Sequence, residues 1–286
     1  MIPRLTMPRL AVVGASLAIA GTLLGVGLVG SATAATTTGH ASSSSAVAAP
    51  KPTIVLVHGA WADSSSWNGV IERLQALGYT VDAPPNPLSG VSSDSAYLSD
   101  FLSTISGPII LVGHSYGGFV ITNAATGNSQ VKALVYDDAF IPAAGDTPES
   151  LSSAMPGSCL TSTALNFVPY PGAPSGDSDV YVKQSVFPGC FANGLPASEG
   201  AALAAEQQPP VASILADTLT TTPAWQTIPS WDIIGTADHV LPPAEQVAMA
   251  QRAGAHITEI NAPHLSMISD PAAVTSVIVD AASAEG

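Results

Sequence analysis

The stretch "IILVGHSYGGFVI", Ile109 to Ile121, sets a serine among glycines where a run of strand-forming residues passes into a helical pattern. Gly113-x-Ser115-x-Gly117 matches a nucleophile elbow, a strained strand-to-helix turn that leaves the serine hydroxyl exposed. Small residues are required on either side because neighbouring backbone crowds such a turn. The following helix would aim its unpaired N–H groups and positive dipole end at the point where an oxyanion forms. Ser115 is thereby offered as a nucleophile.

A serine hydroxyl needs a base to take its proton, so the rest of the chain was read for one. Short apolar runs rich in β-branched residues recur at 53–59, 79–84, 108–114, 131–139, 230–238 and 256–263. Helical patterns lie between most of them. Val70, Ile71, Leu74 and Leu77 make one face; Tyr97, Leu98, Phe101, Leu102 and Ile105 make another. Apolar runs alternating with amphipathic helices imply an α/β fold whose mostly parallel sheet is covered on both faces. In such sheets sites collect beyond the carboxyl ends of strands. Two runs end there in suitable residues, Asp238 in "IIGTADHVLPP" and His264 in "INAPHLSM". The order serine, acid, histidine is the one this fold uses.

Asp137 and Asp138 in "YDDAF" rival Asp238 as the acid, and the Gly-x-x-Asp form of the later loop favours Asp238. Upstream, "VLVHGAW" ends the first strand in His58-Gly59-Ala60-Trp61, where the N–H of Ala60 can join that of Tyr116 in an oxyanion hole. His58 would order that loop. His114, next to the nucleophile, should point away from it, while His239 and His256 read as surface residues and His40 as part of a tether.

Together "HGAW", "GHSYGG", "GTAD" and "APH" occur in an order and spacing that resembles the α/β-hydrolase superfamily from about residue 53 onward. The chain is most similar to the compact serine esterases grouped with plant methyl esterases and hydroxynitrile lyases. Those lyases carry a lysine after the catalytic histidine; Leu265 stands there in this chain. The resemblance implies ester hydrolysis through an acyl-enzyme, with Ser115 attacking, His264 as base and Asp238 orienting it. Lactones, thioesters and perhydrolysis would use the same machinery. A ligand-binding protein that keeps the fold without turnover is the alternative of another class.

The alternation breaks between about 145 and 229, a Pro-, Gly- and Ser-rich insertion with aromatics that reads as a cap with short helices of its own. Its aromatics and Trp61 suggest small to medium apolar or aromatic substrates. Before the domain, residues 1–34 read as a cleaved signal peptide: Arg4 and Arg9, an apolar run, then "SATA". An uncleaved anchor is the alternative. Residues 35–52 read as a flexible linker, so one domain over 53–286 is expected, secreted to the extracellular side.

Cys159 and Cys190 fit one disulfide in an oxidising compartment. Seven Lys and Arg against 21 Asp and Glu give a net charge of −14, which repels nucleic acid and anionic membranes, leaving a small-molecule ester as the expected partner. No residue cluster has metal-ligand spacing and no glycine-rich loop suits a phosphate, so no metal and no cofactor is expected.

Overall fold

The computed structural model describes residues 51–285. The expected leader over 1–34 and the tether before Lys51, His40 included, lie outside the described residues. Among those described, eight strands form: β1 (Thr53–Val57), β2 (Thr80–Asp82), β3 (Ile109–His114), β4 (Val131–Asp137), β5 (Leu165–Val168), β6 (Asp179–Val182), β7 (Ser230–Gly235) and β8 (His256–Ile260). The helices are α1 (Asn68–Ala76), α2 (Val91–Leu102), α3 (Gly117–Ala124), α4 (Pro148–Ser152), α5 (Ala197–Glu206), α6 (Pro243–Ala253), α7 (Ser266–Ser269) and α8 (Pro271–Glu285).

Six strands make one sheet in the order β2-β1-β3-β4-β7-β8, every neighbouring pair parallel. Their alternation explains the continuous apolar runs. Val55, Val57, Ile109, Leu111 and Leu134 pack toward α2, α3 and α6, whereas Ile54, Leu56, Ile110, Val112 and Ile233 pack toward α1 and α8. Both faces are therefore core, and each fully buried aliphatic side chain contributes about 1.5–3 kcal/mol. β2 and β8 are the edge strands, and their residues are exposed or half-buried.

The chain leaves β1 for β2 on one side and returns to β3 on the other. Strand order thus reverses between β1 and β3, so the loops at their carboxyl ends diverge and open a crevice. Ala60 follows one of these strands and Ser115 the other.

Two expected helix faces are narrower than the sequence suggests. Val70 and Leu74 are fully buried, but Leu77 is 51% exposed because α1 ends before it and the chain turns at Gly78, φ +79°. On α2, Leu98 and Leu102 face inward while Tyr97 is 43% exposed, one residue and so about 100° around the helix from Leu98. The segment between β4 and β7 contains the expected short helices, α4 and α5, with several 3₁₀ turns. It also contains an antiparallel hairpin, β5 with β6, that the helical expectation lacked. Cys159 and Cys190 are bridged, with Cα atoms 5.8 Å apart.

Candidate active site

The elbow is built by close approach. A Cβ on Gly113 would come within 2.8 Å of the Gly117 carbonyl oxygen, and one on Gly117 within 2.7 Å of Val57 O. The third glycine is the tightest: a Cβ on Gly118 would sit 2.0 Å from Phe140 O. Ser115 itself is held at φ +52°, a left-handed conformation that costs a non-glycine residue of the order of 1 kcal/mol or more. Its carbonyl accepts from Gly118 and Phe140 N–H, at 3.0 and 3.2 Å, which fixes the turn against the loop after β4.

From this turn Ser115 Oγ reaches His264 Nε2 at 3.1 Å, and His264 Nδ1 reaches Asp238 Oδ2 at 2.8 Å. The partners assign the tautomer: Nδ1–H donates to the carboxylate, leaving Nε2 to accept the serine proton. Asp238 and His264 are buried, at 4% and 0% exposure. The structure thus brings together the three residues singled out in sequence, from the ends of β3, β7 and β8. Asp238 is saturated with donors. Its Oδ1 accepts from the N–H of Val240 and Leu241, and its Oδ2 from Gln246 Nε2 as well as from His264.

The rival carboxyls lie behind this line and do not touch His264. Asp138 Oδ1 accepts from Gly235 N–H at 2.6 Å, and Asp137 Oδ1 from Ser266 Oγ at 2.6 Å. The second oxygen of each has no partner among the described residues. Burial, with Asp238 adding like charge, pushes Asp137 up to about 7 and Asp138 well above the carboxylate range. Burial does the same to Asp232, helped by Asp137. Of this crowded set, Asp238 alone accepts four hydrogen bonds.

The other histidines are structural. His114 Nε2–H donates to the carbonyl of His264 at 2.9 Å, and the two rings lie 4.8 Å apart. Burial, then the neighbouring His264, holds His114 well below the usual imidazole range, so it stays a neutral prop. His58 Nδ1–H donates to Gly59 O and its Nε2 accepts the Asn86 N–H, both at 2.9 Å, which orders the turn after β1 as expected. His239 and His256 are exposed.

The backbone N–H groups of Ala60 and Tyr116 donate to no acceptor among the described residues. Both residues line a cavity of about 330 Å³ together with Ser115, Trp61, Phe140 and Phe167. The walls are mainly aliphatic and aromatic, and Glu149 is the lining residue that carries a charge. Trp61, at φ +59°, donates its indole N–H to Val180 O at 2.7 Å and so becomes cavity wall. Tyr116 is tied down by its hydroxyl, which donates to the buried Asp94 at 2.9 Å. No group of His, Cys, Asp and Glu among the described residues is arranged to hold a metal ion.

Sequence reading missed three neighbours of the site: Gln246 on Asp238, Asn86 on His58, and Phe191, whose ring stands edge-on to His264 at 5.1 Å. None belongs to a local motif.

Residues 54–277 match the family model described as "Alpha/beta hydrolase family". A carbendazim hydrolyzing esterase of Nocardioides sp. is 32% identical over 127 residues, covering 40% of this chain and 51% of that protein. A pyrethroid hydrolase of Sphingobium wenxiniae is 35% identical over 111 residues, covering 34% of this chain and 39% of that protein. Each match therefore spans about half or less of the relative's own length. Among solved structures, a pyrethroid hydrolase from Sphingobium faniae superimposes with a TM-score of 0.66 and 24% identity, covering 82% of this chain and 98% of that one. The elbow, the parallel sheet and the extent of the match agree, and the chain belongs to the alpha/beta hydrolase family.

Proposed function

We propose that this protein is a serine hydrolase of carboxylic esters, acting on neutral, apolar or aromatic substrates of small to medium size. The observation that carries the reading is the line Ser115–His264–Asp238, hydrogen-bonded throughout and ending at an apolar cavity. His264 Nε2 takes the proton as Ser115 Oγ attacks the ester carbonyl, and Asp238 stabilises the imidazolium that results. The Ala60 and Tyr116 N–H groups hold the oxyanion; losing one such donor costs about 3–4 kcal/mol in related chemistry. The imidazolium then protonates the leaving alcohol, and water, activated by the same histidine, releases the acid.

The cavity supports the substrate class. Its 330 Å³ lies within the range of about 300–1,000 Å³ usual for small-molecule sites. With Glu149 as its charged lining residue it offers an anionic substrate no counter-charge. The esterase and pyrethroid hydrolase names of the two relatives point the same way. An exported protein fits the Cys159–Cys190 bridge, which is favoured in oxidising compartments.

A panel of acyl esters of graded size, read with a fluorophosphonate probe on wild type and Ser115→Ala, tests the proposal. The expected result is turnover of apolar esters and stoichiometric labelling, both lost in Ser115→Ala. Labelling without turnover across the panel would favour a ligand-binding protein, and near wild-type hydrolysis by Ser115→Ala would remove Ser115 as nucleophile.

A further inference from the structure

We propose that Gln246 is a positioning residue of this site: its carboxamide clamps Asp238 in the orientation that faces His264. The inference rests on the triad reading above.

Gln246 lies in the first turn of α6 and is fully buried. Its Nε2 carries two protons, and both are used. One goes to Asp238 Oδ2 and the other to Leu241 O, each at 2.8 Å. Asp238 Oδ2 is the oxygen that also receives His264 Nδ1–H, so its two in-plane lone pairs are divided between base and amide. Val240 and Leu241 N–H occupy Oδ1. The carboxylate cannot rotate without breaking several of these bonds at once.

Gln246 Oε1 is buried with no partner among the described residues, which costs stability that a methionine of similar shape would not incur. That cost is set against a donor placed on the acid. The donor is also neutral. A cation there would compete with the imidazolium for Asp238, and a carboxylate would repel it.

The clamp also gives Asp238 a donor that the neighbouring carboxyls lack. Asp137 and Asp138 at the end of β4 face Asp238, Asp232 adjoins Asp137, and His114 backs His264. Asp137 accepts from Ser266 and Asp138 from Gly235, against four donors on Asp238. Removing a donor from Asp238 raises the proton affinity of the Asp238–His264 pair and narrows its advantage over these neighbours.

The test is Gln246→Met, which keeps length and loses the donor, with Gln246→Glu as the second variant; wild type and Ser115→Ala are measured alongside. In Gln246→Met, kcat should fall about tenfold or more while KM stays within about twofold. The acid limb of the kcat/KM profile should move up by about half a pH unit or more. Gln246→Glu can donate only when protonated, so its activity relative to wild type should decline as pH rises. Unchanged kcat and acid limb in a folded Gln246→Met protein, whatever its melting temperature, would overturn the proposal. If that variant does not fold, a wild-type-like pH profile in Gln246→Glu overturns it instead. An active Ser115→Ala protein would mark failure of the triad reading; an inactive one beside an unaffected Gln246→Met protein would mark failure of the clamp alone.

Discussion

Replacing Asp137 by asparagine should flatten the pH dependence of stability. Asp137 closes β4, is fully buried, and faces Ser266, Asp138, Asp232 and Asp238 with no cationic partner among the described residues. Burial, opposed in part by the Ser266 hydrogen bond and reinforced by Asp238, pushes it from 3.8 up to about 7. The folded-state value lies above the unfolded one. The stability linked to Asp137 is therefore complete below its unfolded value and is lost as pH rises through the folded value. Over about pH 5 to 8 the unfolded chain binds almost no proton there while the folded chain gives one up near 7, so Asp137 removes about 2–3 kcal/mol.

Asparagine keeps the shape of the protonated acid and cannot ionise. Urea unfolding of wild type and Asp137→Asn at several pH values across that range isolates the contribution, because all other groups are common to both. The wild type should lose more stability than the variant on going to alkaline pH, by the amount above. Parallel curves, or a wild type that gains relative to the variant as pH rises, would refute the assignment of a buried, protonated Asp137.

Asp238→Asn should lower kcat by several powers of ten, as loss of the orienting acid does in related triads, because the amide would hold the wrong tautomer of His264. Asp138→Asn, outside hydrogen-bond contact with His264, should cost far less, and steady-state kinetics showing the reverse ranking would move the acid to β4. Cys159→Ser/Cys190→Ser protein should lose about 3–4 kcal/mol on the chain-entropy account of a bridge spanning 31 residues, and should show altered KM for bulky esters. Denaturation and kinetics on a variant confirmed by intact mass test both, and an unchanged KM would separate the bridge from the substrate walls.

The parts of the site that were readable from sequence share a cause. Ser115, Asp238 and His264 each follow an apolar run, and a parallel sheet gathers the carboxyl ends of its strands on one edge. Glycines at 113 and 117 announced the crowding because backbone contact leaves no room for a substituent. Gln246 was invisible for the opposite reason. Pro243 marks where α6 starts, but the bond to Asp238 depends on how that helix is set against the loop after β7, which residue types alone do not give. The β5–β6 hairpin was obscured by its setting of prolines and serines. Leu77 and Tyr97 were misread because apolar character was taken for burial, although a helix end or a neighbouring face leaves such residues in water.

The segment between β4 and β7 is tied by direct contacts to the Ser115–His264–Asp238 line, which bears on how the site can be altered. Cys159 donates its N–H to the carbonyl of His239, next to Asp238, at 2.8 Å. Cys190 precedes Phe191, which packs edge-on against His264 and, at 5.7 Å, against Trp61. Trp61 is in turn bonded to Val180 on the hairpin, and its own N–H donates to Gln208 O. The bridge therefore joins a segment beside Asp238 to a ring that rests on His264, and the same ring supports Trp61 in the cavity wall. A substitution at Phe191 should disturb the placement of His264 as well as the cavity wall at Trp61. Changes meant to alter substrate choice alone belong on the far wall, at positions such as Phe167 or Ile214, which line the cavity without appearing among the partners of the triad.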